Sequence, residues 1–123
     1  MLRRSLVAVA AVVLLTACWS PVPARADGDE ISLEGEIVDL SCYLSGGKKG
    51  RVHKTCAQRC AERGLPIGIL TTDNKVYLLL EDHSDEQPYE DAKKLAGVQA
   101  KIKGKQFTER GLASVVLTHV EKN

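Results

Sequence analysis

Between Ile31 and Val120, apolar residues recur at every second position in five short runs, a pattern that leaves the chain few ways to bury them. The first run takes in Ile31, Leu33, Gly35 and Ile37, then Val38 and Leu40. Its alternation changes phase between Gly35 and Val38, as it would in a long bent strand with a bulge. Leu65, Ile67 and Ile69 make a second strand, the turn Thr72-Asp73-Asn74-Lys75 follows, and Val76 to Leu80 returns as a third, which reads as a hairpin. Val98, Ala100 and Ile102 alternate with lysines in a fourth, and Leu112 to Val120 is a fifth after the turn Glu109-Arg110-Gly111.

Two helices interrupt the strands. Arg51 to Arg63 holds helix-forming residues and stops at Gly64 and Pro66, after a basic loop from Ser45 to Gly50. Pro88 to Ala96 forms a second short helix capped by Ser84 or Asp85, with Pro88 in its first turn, Tyr89, Ala92 and Leu95 or Ala96 inward, and Gly97 as its stop. The order is therefore strand, helix, strand, strand, helix, strand, strand. This predicts a mainly β (α+β) domain: a five-stranded OB-like barrel with a cysteine-bearing helix inserted after strand one and a second helix between strands three and four.

That first helix carries the chemistry. Cys42 stands just past strand one, and His53, Cys56 and Cys60 follow in the pattern C-x10-H-x2-C-x3-C. On a helix the last three fall at i, i+3 and i+7, so they share a face, and Cys42 approaches from outside. Three thiols and an imidazole make a soft donor set suited to Zn(II) or Cu(I). Three thiols cannot all pair, so competing outcomes are one disulfide from Cys42 to Cys56 or Cys60, redox-active thiols, or simple apolar packing of Cys56 and Cys60 beside Val52 and Ala57. Lys48, Lys49, Arg51, Lys54, Arg59 and Arg63, opposed only by Glu62, would lower the thiol pKa values and favour thiolates. They equally fit the solvated face of a small helix.

Other features carry less. His83 lies in the acidic turn from Glu81 to Glu86 and reads as a solvated loop residue, and His119 alternates on the last strand in a structural role. Met1 is the only methionine, so thioether copper ligation has no donor in the body of the chain. No C-x-x-C-H, C-x-x-C, phosphate loop or nucleophile with acid and base partners is present, so a catalytic reading would rest on the thiols alone.

The beginning of the chain is an export segment: Arg3 and Arg4, an apolar run from Leu6 to Ala17, and then Leu15-Thr16-Ala17-Cys18 in lipobox form. On that reading residues 1–18 are the signal and Cys18 is the lipid attachment point. Residues 19–30, with Pro21, Pro23 and Gly28, are a flexible tether, and 31–123 are the domain. The alternative is cleavage after Ala26, which discards Cys18 and releases a soluble periplasmic protein; Arg3-Arg4 also fits a loose twin-arginine pattern. Beyond Cys18, 15 Lys plus Arg face 16 Asp plus Glu, a balance that gives no support to nucleic-acid binding. A domain this small gains from a disulfide or metal supplement.

From Gly35 to Gly104 the chain resembles a group of small exported bacterial OB-like proteins. The resemblance rests on Gly35-Glu36-Ile37-Val38-Asp39 with Cys42-Tyr43, His53-Lys54-Thr55-Cys56 with Cys60, Gly64-Leu65-Pro66-Ile67-Gly68, Lys75-Val76-Tyr77-Leu78-Leu79 and Lys101-Ile102-Lys103-Gly104. It implies the fold and a cysteine and histidine set that belong together, and no particular metal. The expectation is a lipid-anchored module of the bacterial cell envelope, facing the periplasm. Its Cys42, His53, Cys56 and Cys60 would hold one soft metal ion, with the membrane and an envelope protein as partners. Its alternatives are a thiol-disulfide partner or a disulfide-stapled subunit of a membrane complex.

Overall fold

The computed structural model describes residues 27–123. The expected export segment, Cys18 in its expected lipobox, and the alternative cleavage site at Ala26 lie outside the described residues. The strands are β1 (Asp29–Asp39), β2 (Ile67–Thr71), β3 (Val76–Leu80), β4 (Gln99–Glu109) and β5 (Leu112–Lys122). Between them stand α1 (Leu40–Gly46), a 3-10 turn (Arg51–His53), α2 (Lys54–Glu62) and α3 (Gln87–Lys94). The sheet closes in the order β1-β2-β3-β5-β4, antiparallel except for the β3–β5 pair, as the OB-like expectation requires.

Strand β1 bridges the two halves of the barrel. Its first part pairs with β4 from Asp29↔Gln106 to Glu36↔Gln99, and its last part pairs with β2 from Gly35↔Thr71 to Asp39↔Ile67. Asp29 and Glu30, expected in the tether, thus already belong to the sheet. The handover sits at Gly35, where a Cβ would run into the Leu70 carbonyl and Thr71 Cα. A bulge is unnecessary in β1, because glycine itself permits the close crossing of two neighbours. The register shift falls instead between Lys103 and Gly104 in the β4–β5 ladder.

The interior is filled from every strand: Ile37, Ile67, Ile69, Leu79, Ile102, Val115 and Leu117 are fully buried. Each such side chain removes enough apolar surface from water to contribute about 1.5–3 kcal/mol. Ala57 and Ala61 of α2, Ala92 of α3 and Ala96 just beyond it join the same core. Their small side chains let both helices lie close to the barrel end, and Gln58 Nε2 donates to Lys94 O at 2.7 Å to tie them together. Helix α3 begins one residue before Pro88, with Glu86 rather than the expected Ser84 or Asp85 at its N-cap and no side-chain cap; Asp85 accepts from Gln87 N at 3.2 Å in the turn that leads into it. The β4–β5 turn has positive φ at Arg110 and Gly111 (51° and 87°), the backbone that a tight two-residue hairpin demands.

Cys42 departs from its expected setting. It lies on α1, a helix where strand-end and loop were expected, because Asp39 caps that segment: its Oδ1 accepts from Ser41 N at 2.9 Å and Cys42 N at 3.5 Å. Gly47, at φ 64°, ends the helix by donating its N–H to Tyr43 O at 2.8 Å. Leu40 anchors the helix in a second small core with Val38 and Leu70.

Candidate metal centre

Three elements converge at the barrel end that β1 reaches. Strand β1 ends on the buried Asp39, α1 presents Cys42 one turn later, and α2 runs past with Cys56 and Cys60 four residues apart. His53 is not within α2 but ends the preceding 3-10 turn. Its position is set from a distance: buried Glu36 on β1 accepts from Gly50 N at 2.5 Å, and Gly50 O accepts from His53 N at 3.0 Å. The loop expected after Cys42 is thereby pinned to the sheet.

Cys42, His53 and Cys56 bring their ligand atoms to within 4.8 Å of one another, and so do Asp39, Cys42 and Cys60. Cys42 belongs to both groups, and Cys60 joins through Cys42 and Asp39. A tetrahedral zinc site with Zn–S near ~2.3 Å implies sulfur–sulfur edges of about 3.8 Å. The spacing therefore needs a closure of at most about 1 Å, within the reach of cysteine side-chain rotation. All three cysteines are free thiols. Two buried side-chain polar atoms among the described residues lack any hydrogen-bond partner, His53 Nε2 and Asp39 Oδ2, and both belong to residues of this cluster. A buried polar atom without a partner costs about 1–3 kcal/mol, and a bound cation is the partner both would take.

Two of the thiols, Cys42 and Cys60, are shifted away from acidity. Cys42 is pushed up from an ordinary 9.0 to about 11, first because its protonated thiol can donate to Asp39, then through partial burial, the Asp39 charge, and Cys56 and Cys60. Cys60 is raised as well, chiefly by burial and then by Asp39. This reverses the expectation that the flanking cations would favour thiolates. Lys48, Lys49, Arg51, Lys54, Arg59 and Arg63 are all exposed, where water and salt screen them, while Asp39 is 1% exposed and close by. Because folding raises this thiol pKa, its stabilising contribution is complete below pH 9.0 and is lost as pH climbs towards about 11. The metal-free domain should accordingly show a falling denaturant midpoint across that window, a loss that Cys42→Ala reduces while the raised Cys60 keeps part of it.

Asp39 and Glu36 escaped the sequence reading as site residues. The signal for Asp39 was its place before Leu40-Ser41-Cys42, an N-cap followed by a glycine stop at Gly46-Gly47. His83 is exposed in the Asp82–Asp85 turn, and His119 is exposed on β5 with Nε2 3.8 Å from Glu121, both away from the cluster groups. No helix of the described residues is long and apolar enough to cross a membrane. Compared with protein-family models, curated proteins and solved structures, the chain finds no match.

Proposed function

We propose that this protein is a metal-binding module of the bacterial cell envelope, anchored through Cys18, that holds a soft ion such as Zn(II) or Cu(I) with Cys42, His53 and Cys56. The observation that carries this reading is the His53 imidazole, whose buried Nε2 has no hydrogen-bond partner, with a ring nitrogen in mutual reach of two free thiols. One borderline nitrogen and two soft sulfurs form a donor set for those ions, and three protein ligands leave a fourth position for solvent or an exchanging ligand. Cys56 is exposed, so the ion can be reached from outside. That accessibility favours a carrier or sensor that passes metal to an envelope partner over a sealed structural site. The lipid anchor is supported by the apolar run that closes on Leu15-Thr16-Ala17-Cys18.

Elemental analysis of protein purified without oxygen, run beside a count of free thiols, tests the reading. Bound metal with thiols protected from alkylation is the expected result. Metal-free protein with thiols that oxidise and reduce reversibly would favour a thiol-disulfide partner instead, and a permanent bridge would favour a stapled interaction domain. Cys42 held near 11 works against the exchange reading, since the thiolate is the attacking species.

A further inference from the structure

Asp39 is more deeply buried than any other donor in the cluster, and one of its oxygens is uncommitted. Oδ1 serves the start of α1, while Oδ2 is buried with no partner outside the cluster, whose Cys42 and Cys60 thiols are the side chains placed to donate to this carboxylate. Among the described residues no lysine, arginine or histidine forms an ion pair with it. A buried carboxylate without a counter-charge is costly, and an adjacent metal–thiolate centre would add to that cost unless further positive charge sits close by.

The charge count locates that positive charge. Three thiolates and one carboxylate carry four negative charges around a neutral imidazole. One divalent ion leaves two of them unbalanced at the end of the barrel interior; two divalent ions balance them. The donor geometry divides in the same way, into Cys42–His53–Cys56 on the exposed side and Asp39–Cys42–Cys60 on the inner side, with the Cys42 sulfur common to both. A thiolate sulfur has lone pairs enough to join two metal ions, and zinc accepts sulfur, nitrogen and carboxylate oxygen alike, whereas Cu(I) disfavours the carboxylate.

Building on the metal-binding reading above, we infer that the cluster is a two-zinc site bridged by the Cys42 thiolate, with His53 and Cys56 completing the outer position and Asp39 and Cys60 the inner one. Exchange takes place at the outer position, beside exposed Cys56, while the inner ion holds β1, α1 and α2 together. The two positions are unequal in depth, so the outer ion leaves first.

The test is a titration of the purified chain, reduced and metal-free, with zinc chloride alone under anaerobic conditions against a chromophoric chelator. The loaded protein is recovered by gel filtration for elemental analysis. Two zinc ions per chain are expected, the first released by dilute chelator and the second only by a stronger one. Asp39→Asn, which retains an N-cap residue, and Cys60→Ser should each bind one, and so should His53→Ala; a thermal melt of each variant separates a lost ligand from a lost fold. A single zinc in the parent protein overturns the two-ion site and leaves the simpler reading standing. No zinc at all overturns both. Two zinc ions persisting in both Asp39→Asn and Cys60→Ser would overturn the assignment of the inner position.

Discussion

Cys42→Ala is expected to leave the protein unable to retain metal through gel filtration, with apparent affinity lower by at least about 100-fold. A lost ligand in a small thiolate site removes several kcal/mol, more than the 10–100-fold that outer-shell changes cost. Cys42 is singled out because its sulfur belongs to both donor groups, whereas every other member belongs to one. Competition with a chromophoric chelator gives the affinity, and Cys56→Ala provides the comparison: it should weaken retention less, because Asp39, Cys42 and Cys60 remain. Equal losses in the two variants would show that Cys42 has no special place. The barrel itself should survive, since Cys42 lies outside both hydrophobic clusters.

Gly35→Val is expected to have the other large effect, a destabilisation of about 4 kcal/mol or more, to the point where little folded protein is recovered. A Cβ at this position meets backbone, the Leu70 carbonyl together with Thr71 Cα, so no side-chain rotation relieves the contact. The strand would have to leave either β2 or β4, both of which it pairs with at this residue. Chemical denaturation followed by the far-ultraviolet signal measures the loss. The same experiment on Gly111→Ala, where space is open but φ is 87°, should cost far less, about 1 kcal/mol. Should the two variants unfold at similar denaturant concentrations, the crossing of two ladders at Gly35 is not what demands glycine.

The barrel was legible because its strands are half-buried and obey a strict period of two, and because Pro88, Gly97 and the Glu109-Arg110-Gly111 turn punctuate the right places. The parallel β3–β5 contact that closes it joins residues 36 positions apart, Leu78 to Ser114, and leaves no local mark; it followed only from the order of the elements. Helix α1 stayed hidden for a different reason. Val38 and Leu40 continue the strand rhythm, and Ser41, Cys42 and Tyr43 are poor helix formers, so the helix depends on the Asp39 cap and on Leu40 entering a tertiary core. The bulge was misplaced because glycine at a strand crossing and a true register shift disturb alternation in the same way.

At the site, the meeting of Cys42 with His53 and Cys56 was foreseeable from their chemistry. The reversal of thiol acidity was not, because charge counted along a chain ignores depth. Six exposed cations a few residues away count for less than one carboxylate enclosed among the sulfurs. His53 illustrates the same limit: its place depends on Glu36, far back on β1, reaching the Gly50 amide.

The closed order of strands bears on how this protein fares when its helical end comes loose. Among the described residues every strand has a neighbour on each side over part of its length, so the closed sheet leaves no strand with a whole edge free for another chain to build on. Loosening of α1 and α2 would bare thiols and a few leucines without supplying a template for fibril growth. Molecules caught in that state would be harmed by oxidation sooner than by clumping.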